Sequence, residues 1–328
     1  MRIFATRTGD RHASPRKVAR RAIRRGDIAG ARSLADMGPA GLQALVNGFR
    51  GRKRHAAALL LHEALDQAQR RRPLCLSRLQ IREPVFARLL RDRQAIVRCV
   101  SVRIVGYTGQ SRWVPEVSRV LSEDADAFAR CRAADALGDL GAVEAVPLLT
   151  NVVEDRLHPA RYHAVRALGR LGPTACSYLA SLSVGHPDEV LRREAAETIA
   201  RFGDDTAWDA LLAALAGPTP WEVRKTLVDA LGRSRADRAL TPLVERLARD
   251  GSPTVREAAA AALATLGDAR CTGALLAAAL HDPFTEPAGG ARGSPSAVPW
   301  RHPVREAAAD ALLVFGGTER REEARSGQ

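Results

Sequence analysis

The sequence is poor in aromatic residues, which make up 4% of its 328 positions. A core without many large rings has to be assembled from Ala, Leu and Val, and that composition suits closely packed helices. Lysine is nearly missing: Lys17, Lys53 and Lys225 are the only ones among 50 basic residues, so the net charge of +13 is an arginine charge. The five cysteines, Cys75, Cys99, Cys131, Cys176 and Cys271, are odd in number and scattered, which is not the pattern of a disulfide framework. There is no apolar run long enough to cross a bilayer, and the first residues form no apolar signal segment. Neither a membrane span nor secretion is therefore expected, and the expected compartment is the cytoplasm.

What the sequence does contain is a repeat. An Arg recurs at Arg98, Arg130, Arg161, Arg192, Arg224, Arg256 and Arg305, at steps of 31 or 32 residues apart from one step of 49. An apolar residue precedes each Arg. Seven positions after it stands a bulky aliphatic (Val105, Leu137, Leu168, Ile199, Leu231, Leu263, Leu312), with small residues between. This period is helical, and self-similarity at such a step marks an array. Eleven positions after the Arg comes Gly109, Gly141, Gly172, Gly203, Gly267 or Gly316, with Arg235 the exception; glycine there lets a helix end in a left-handed cap. Each unit reads as a helix A, a turn, and an Arg-bearing helix B.

Around this array the chain divides into segments. Residues 1–26 form a basic N-terminal segment with an amphipathic helix between Ser14 and Gly26. Residues 27–317 form the solenoid, with degenerate repeats at 27–82, regular repeats at 83–282, a loop insertion at 283–303 and a last helix at 304–316. Residues 318–328 lack an apolar pattern and are expected to be a disordered tail. Gly and Pro crowd the insertion, which reads as loop, with Pro287 to Ala297 expected to be mobile. The charge is uneven: residues 1–100 hold 23 Lys and Arg against 7 Asp and Glu, and the rest of the chain is slightly acidic. Such an asymmetry points to an anionic partner.

Six residues before the repeat Arg stand Asp92, Asp124, Asp155 and Asp250, while His186, Pro218 and Pro299 take that place in three other units. An acidic turn residue and a helix B Arg at this spacing resemble the HEAT repeat, in the short bacterial variety also called phycobilisome lyase-like. The resemblance covers Glu83 to Gly316 and, more loosely, Asp27 to Leu65. It implies an all-α fold, an α-α superhelix of about eight helix pairs, with the helix B row lining a concave face. It further implies a structural ladder formed by Asp92, Arg98, Asp124, Arg130, Asp155, Arg161, Arg192, Arg224, Asp250, Arg256 and Arg305, interrupted where the Asp is replaced.

For function, the array implies a non-enzymatic scaffold that grips a protein partner, expected to be acidic. Three groups of candidate contact residues follow. Arg16, Lys17, Arg20, Arg21, Arg24 and Arg25 form two adjacent rows of the N-terminal helix. Arg52, Lys53, Arg54, Arg70, Arg71 and Arg72 make two further basic clusters. Arg166, Arg170, Arg193, Arg201, Lys225 and Arg233 form a strip on helices B, together with Tyr162 and His163, although Asp135, Asp139, Glu194, Glu197 and Asp229 share that strip. Nucleic acid is the alternative ligand, bound without sequence preference or in the manner of HEAT-like DNA glycosylases; a bilin lyase-like role is a third reading. Di-iron hydroxylases of similar fold repeat a His-Glu pair over four helices, whereas this chain has the single pair His62-Glu63. No metal, cofactor or catalytic residue is expected.

Overall fold

Local signals in the sequence fix where each helix begins and ends. Asp27, Asp126, Asp188 and Asp204 each accept a hydrogen bond from a backbone N–H in the first turn of the helix they precede, which satisfies one of the helix's orphan donors. Pro15, Pro39, Pro173 and Pro253 occupy first-turn positions where no N–H is needed. Ser14 is the N-cap of the first helix, but its hydroxyl makes no capping bond. Gly109, Gly141 and Gly267 take left-handed conformations, with φ between 65° and 77°, while Gly172 combines a φ of 74° with a ψ of −149°. Arg235, where the repeat lacks its glycine, is forced into the same region at φ 52°. Gly203 departs from the pattern and is extended at φ −64°.

The computed structural model describes residues 14–49, 53–71, 83–287 and 300–326. Most of the segment expected to be mobile, along with Pro299, lies outside the described residues. Two compact units are present, Met1–Leu171 and Gly172–Gln328. In the first, five helix pairs succeed one another: α1 (Pro15–Arg25) with α2 (Ile28–Asp36), α3 (Pro39–Gly48) with α4 (Arg54–Arg71), and α5 (Glu83–Leu89) with α6 (Ala95–Thr108). Then come α7 (Val114–Glu123) with α8 (Ala127–Asp139), and α9 (Val146–Glu154) with α10 (Arg161–Arg170). The second unit holds α11 (Pro173–Gly185) with α12 (Glu189–Phe202), and α13 (Asp205–Ala216) with α14 (Trp221–Ser234). It ends with α15 (Leu240–Arg249) with α16 (Pro253–Leu266), and α17 (Thr272–His281) with α18 (Pro303–Ser326).

The described residues thus form nine pairs, one more than the expected eight. The extra pair arises because α1 is not a separate segment but helix A of the first pair. Its Ala19, Ala22 and Ile23 are buried, and it packs against α2 and α3. Ile23 comes so near the backbone of Gly48 that a Cβ there would lie 2.3 Å from Ile23 Cδ1. At the other end, α18 continues to Ser326, past the last apolar position, through a run of Glu, Arg and Ala that are good helix formers.

Within each unit the even-numbered helices, the helices B, stack side by side, separated by little more than backbone. A Cβ on Gly106 would lie 3.1 Å from Ala136 Cα, on Gly138 2.8 Å from Ala167 Cα, and on Gly232 2.7 Å from Ala262 Cα. All three glycines stand eight residues after the repeat Arg, and each faces an alanine six residues after the Arg of the next unit. The core is correspondingly aliphatic, with Phe49 and Phe86 its one edge-to-face aromatic pair among the described residues.

The insertion after α17 is not wholly irregular. Glu286–Pro287 (β1) pairs antiparallel with Trp300–Arg301 (β2), bringing its two ends together.

Candidate functional site

The repeat arginines sit at the start of helices B, where the chain has just turned back from helix A. Arg98 shows the full pattern. Its Nη1 donates to the backbone carbonyl of Asp92 in its own turn at 2.8 Å, while Nε and Nη2 grip both carboxylate oxygens of Asp124, in the next unit, at 2.6 Å each. Arg224 holds Asp250 at 2.8 Å through the same two donors, and Arg256 holds Asp282 at 2.6 and 3.1 Å. Two parallel charge-assisted bonds fix the guanidinium plane. Each complete rung therefore ties a turn to its successor. Burial, the largest single influence, pushes the carboxyls of Asp124, Asp250 and Asp282 up; the hydrogen bonds from Arg98, Arg224 and Arg256, the turn N–H and the nearby guanidinium charges together outweigh it and hold all three below the ordinary carboxylate range.

The same aspartates also close their own turns. Asp92, Asp124, Asp155, Asp250 and Asp282 each accept the N–H two residues on, at 2.9 to 3.0 Å. His186 keeps this second task through Nδ1, which accepts from Asp188 N at 3.0 Å, but it supplies no carboxylate. The sequence pattern did not separate these two roles.

The rungs differ from the expected set at Arg54, at Asp282 and between Arg130 and Asp155, and are interrupted, as expected, after Arg161 and Arg192. Arg54, expected at a partner-binding cluster, donates to Asp92 at 2.5 Å and so belongs to the ladder. Asp282 is a member that the six-residue spacing missed, because the insertion moves it 23 residues before Arg305; the carbonyl of Asp282 accepts from Arg305 Nε at 2.7 Å. Arg130 donates to the Asp124 carbonyl, and Asp155 is an exposed turn residue outside its reach. Arg161 turns its Nε to the carbonyl of Val153 at 2.8 Å. In Arg192, Nη1 meets the His186 carbonyl at 2.7 Å, yet the buried Nε has no protein partner. Pro218 stands where a carboxylate would complete that rung.

The expected basic strip on helices B proves to be charge-compensated. Arg170 lies 3.3 Å from Asp139, Arg193 3.9 Å and Arg233 2.7 Å from Glu197, and Lys225 2.9 Å from Asp229. Arg166 approaches Asp135 at 3.9 Å. That carboxylate also accepts from His163 at 2.9 Å, and the bond raises the His163 imidazole to about 9. Arg201 instead lies over the ring of Phe202. Nearby, His62 contacts Arg103 at 2.9 Å and Glu63 accepts from Arg32 at 2.7 Å, so these two side chains serve separate contacts.

The face of α1 differs. Arg16, Lys17, Arg20, Arg21, Arg24 and Arg25 are all exposed, and α1 contains no acidic residue. Among the described residues, no carboxylate pairs with Arg16, Lys17, Arg20, Arg24 or Arg25. Of the other two clusters, Lys53 is exposed, Arg52 and Arg72 lie outside the described residues, and Arg70 and Arg71 close α4. Cys99, Cys131, Cys176 and Cys271 are free thiols. No helix among the described residues is long and apolar enough to cross a membrane.

No curated protein sequence matches the chain. Solved structures that resemble it include human deoxyhypusine hydroxylase in complex with glycerol, at 20% identity over 92% of this chain and 98% of that one, with a TM-score of 0.33. The Escherichia coli protein YibA is 16% identical over 87% and 95%, with a TM-score of 0.41. The CpcE and CpcF complex of a Nostoc phycocyanin lyase is 16% identical over 74% and 97%, with a TM-score of 0.40. At these values no activity is carried over from the three. The sequence pattern of HEAT repeats matches residues 82–159, 154–232 and 209–292. With that pattern spanning most of the chain and the helix pairs in place, this protein belongs to the HEAT-repeat family.

Proposed function

We propose that this protein is a non-enzymatic scaffold that binds an acidic surface of a partner protein, chiefly through the outward face of α1. The contrast in charge pairing carries the reading. Arg166, Arg170, Arg193, Lys225 and Arg233 on helices B already face carboxylates of their own chain, whereas Arg16, Lys17, Arg20, Arg24 and Arg25 of α1 pair with no carboxylate among the described residues. Like charges four residues apart, as in Arg16, Arg20 and Arg24, repel one another and weaken an isolated helix. An anionic counter-surface removes that cost and speeds encounter. Because α1 is anchored by Ala19, Ala22 and Ile23, the cations are presented on a fixed helix and not on a tail.

The test uses the full chain and the variant K17A/R20A/R24A, titrated with poly-L-glutamate and with generic duplex DNA at two salt concentrations. Poly-glutamate is expected to bind, and the variant to lose about tenfold or more in affinity while melting as the parent does. If duplex DNA binds more tightly, with a slope of roughly 0.9 per phosphate neutralised, the partner is nucleic acid. Equal binding by parent and variant removes α1 from the site.

A further inference from the structure

One repeat arginine keeps the pose of a rung with no carboxylate to hold. Nη1 of Arg192 donates to the carbonyl of His186, six residues back, at 2.7 Å, as Nη1 of Arg98 and of Arg256 do to Asp92 and Asp250 at 2.8 Å. In those two arginines the other edge, Nε with Nη2, grips both carboxylate oxygens of an Asp in the next turn. In Arg192 that edge makes no hydrogen bond to any described residue, and its Nε is buried. Arg161, which also lacks a partner Asp, relieves its Nε on the Val153 carbonyl. Of the repeat arginines, Arg192 alone has a buried Nε without a partner among the described residues. A buried donor left unpaired is costly, and a charged one more so. Arg192 as a whole is half-buried, which leaves the edge an approach from solvent.

The next turn, between α13 and α14, is rebuilt in a way that withholds the missing group. Pro218 stands at the position of the Asp, and Pro220 at the position of the residue whose N–H such an Asp accepts; a proline has no N–H to give. Thr219 ties this turn instead, its Oγ1 donating to the Ala214 carbonyl at 2.8 Å. Both halves of the ladder's turn motif are therefore replaced together, while the arginine that the motif serves is still held in place by the His186 and Pro187 carbonyls.

We infer that the Nε–Nη2 edge of Arg192 is a binding site for a carboxylate carried by another molecule. The chain itself shows the chemistry that fits this edge: in Arg98, Arg224 and Arg256 the same two nitrogens take two carboxylate oxygens at 2.6 to 3.1 Å. A guanidinium has donors and no acceptor, and its two parallel N–H groups match a planar pair of oxygens. A free carboxylic acid and an Asp or Glu side chain of a partner protein share that chemistry. Arg192 and Pro218 both lie in the second unit, and the site does not rest on the role proposed for α1.

The test is thermal unfolding of the full chain, followed by circular dichroism, as sodium acetate replaces sodium chloride up to about 0.2 M at constant ionic strength. Acetate is expected to raise the Tm of the parent by about 2 °C or more. The rise should be lost in R192Q, which lacks the two-pronged edge, and in P218D, which offers that edge a carboxylate of the chain's own. P218D leaves Arg192 intact and carries the same reading should R192Q be too unstable to compare. R193Q, at the exposed neighbour beside Glu197, should respond to acetate as the parent does. Hexaglutamate is the second probe. If it raises Tm at about a tenfold lower concentration than acetate, and R192Q abolishes the effect where K17A/R20A/R24A does not, the carboxylate belongs to a partner protein; acetate acting without any gain from the peptide assigns it to a free acid. A parent whose Tm responds to neither probe, or a rise that R192Q and P218D retain, overturns the inference.

Discussion

Replacing Asp250 by Ala should destabilise the unit Gly172–Gln328 far more than a surface ion pair would suggest. The Asp250 side chain is 1% exposed and that of Arg224 16%. The substitution removes two bonds from Arg224 at 2.8 Å and one from Ser252 N at 2.9 Å. Arg224 would keep only its bond to the Thr219 carbonyl. Breaking one side of a buried pair costs about 3–5 kcal/mol; Arg224 is not wholly enclosed and water recovers part of that, so about 3 kcal/mol is expected. For a unit of this size each kcal/mol moves Tm by roughly 2–4 °C, giving a drop of roughly 6–12 °C in thermal unfolding followed by circular dichroism. Asp237→Ala, which breaks an exposed contact to Arg270, is the reference and should leave Tm nearly unchanged. The pH dependence has a definite sign. Because the folded-state Asp250 carboxyl lies below its ordinary value, its contribution is present above the ordinary carboxylate pKa and is lost as pH falls through the depressed one. The gap between parent and Asp250→Ala should therefore close in acid. A drop below about 2 °C at neutral pH would refute the reasoning.

Further expectations follow from other positions. Arg235→Gly should stabilise by about 1 kcal/mol, because it relieves a left-handed φ that costs a side-chain-bearing residue about 1–2 kcal/mol; an unchanged urea midpoint would count against it. Gly138→Leu should destabilise the first unit by about 3 kcal/mol or more through collision with Ala167, with thermal melting as the measure. For His163, raised to about 9 by Asp135, the folded value exceeds the unfolded one. Its contribution is thus complete below about pH 6.5 and fades as pH rises through about 9. His163→Gln should melt lower than the parent at pH 6 and converge with it near pH 10; a constant difference across that range would show that the ion pair is not the cause.

Much of the fold was written in one-dimensional spacing. The Arg register, the aliphatic seven positions later and the glycine caps are all local, and even the anomaly at Arg235 was visible as a missing glycine before its φ was known. The site was less legible. Pairing of Arg233 with Glu197, or of Arg170 with Asp139, joins residues more than thirty apart in sequence, so a cation on helix B cannot be told from a compensated one by inspection of its own helix. Asp282 escaped because the insertion broke the offset on which the ladder was counted. Helix α1 is legible as amphipathic, but the helices that Ala19, Ala22 and Ile23 dock against, α2 and α3, are not written in its own spacing.

The two-residue clasp between β1 and β2 has an engineering consequence. Because Glu286 and Arg301 stand opposite each other in the antiparallel pair, whatever chain runs between them enters and leaves at adjacent points, on a base held by the Asp282 carbonyl and Arg305. Lengthening such a closed loop costs only about 0.6 kcal/mol per doubling. A peptide epitope or a small domain whose own termini lie close together could therefore be spliced between Pro287 and Trp300 with little effect on the helix pairs, making this insertion the natural port for displaying a guest sequence on the array.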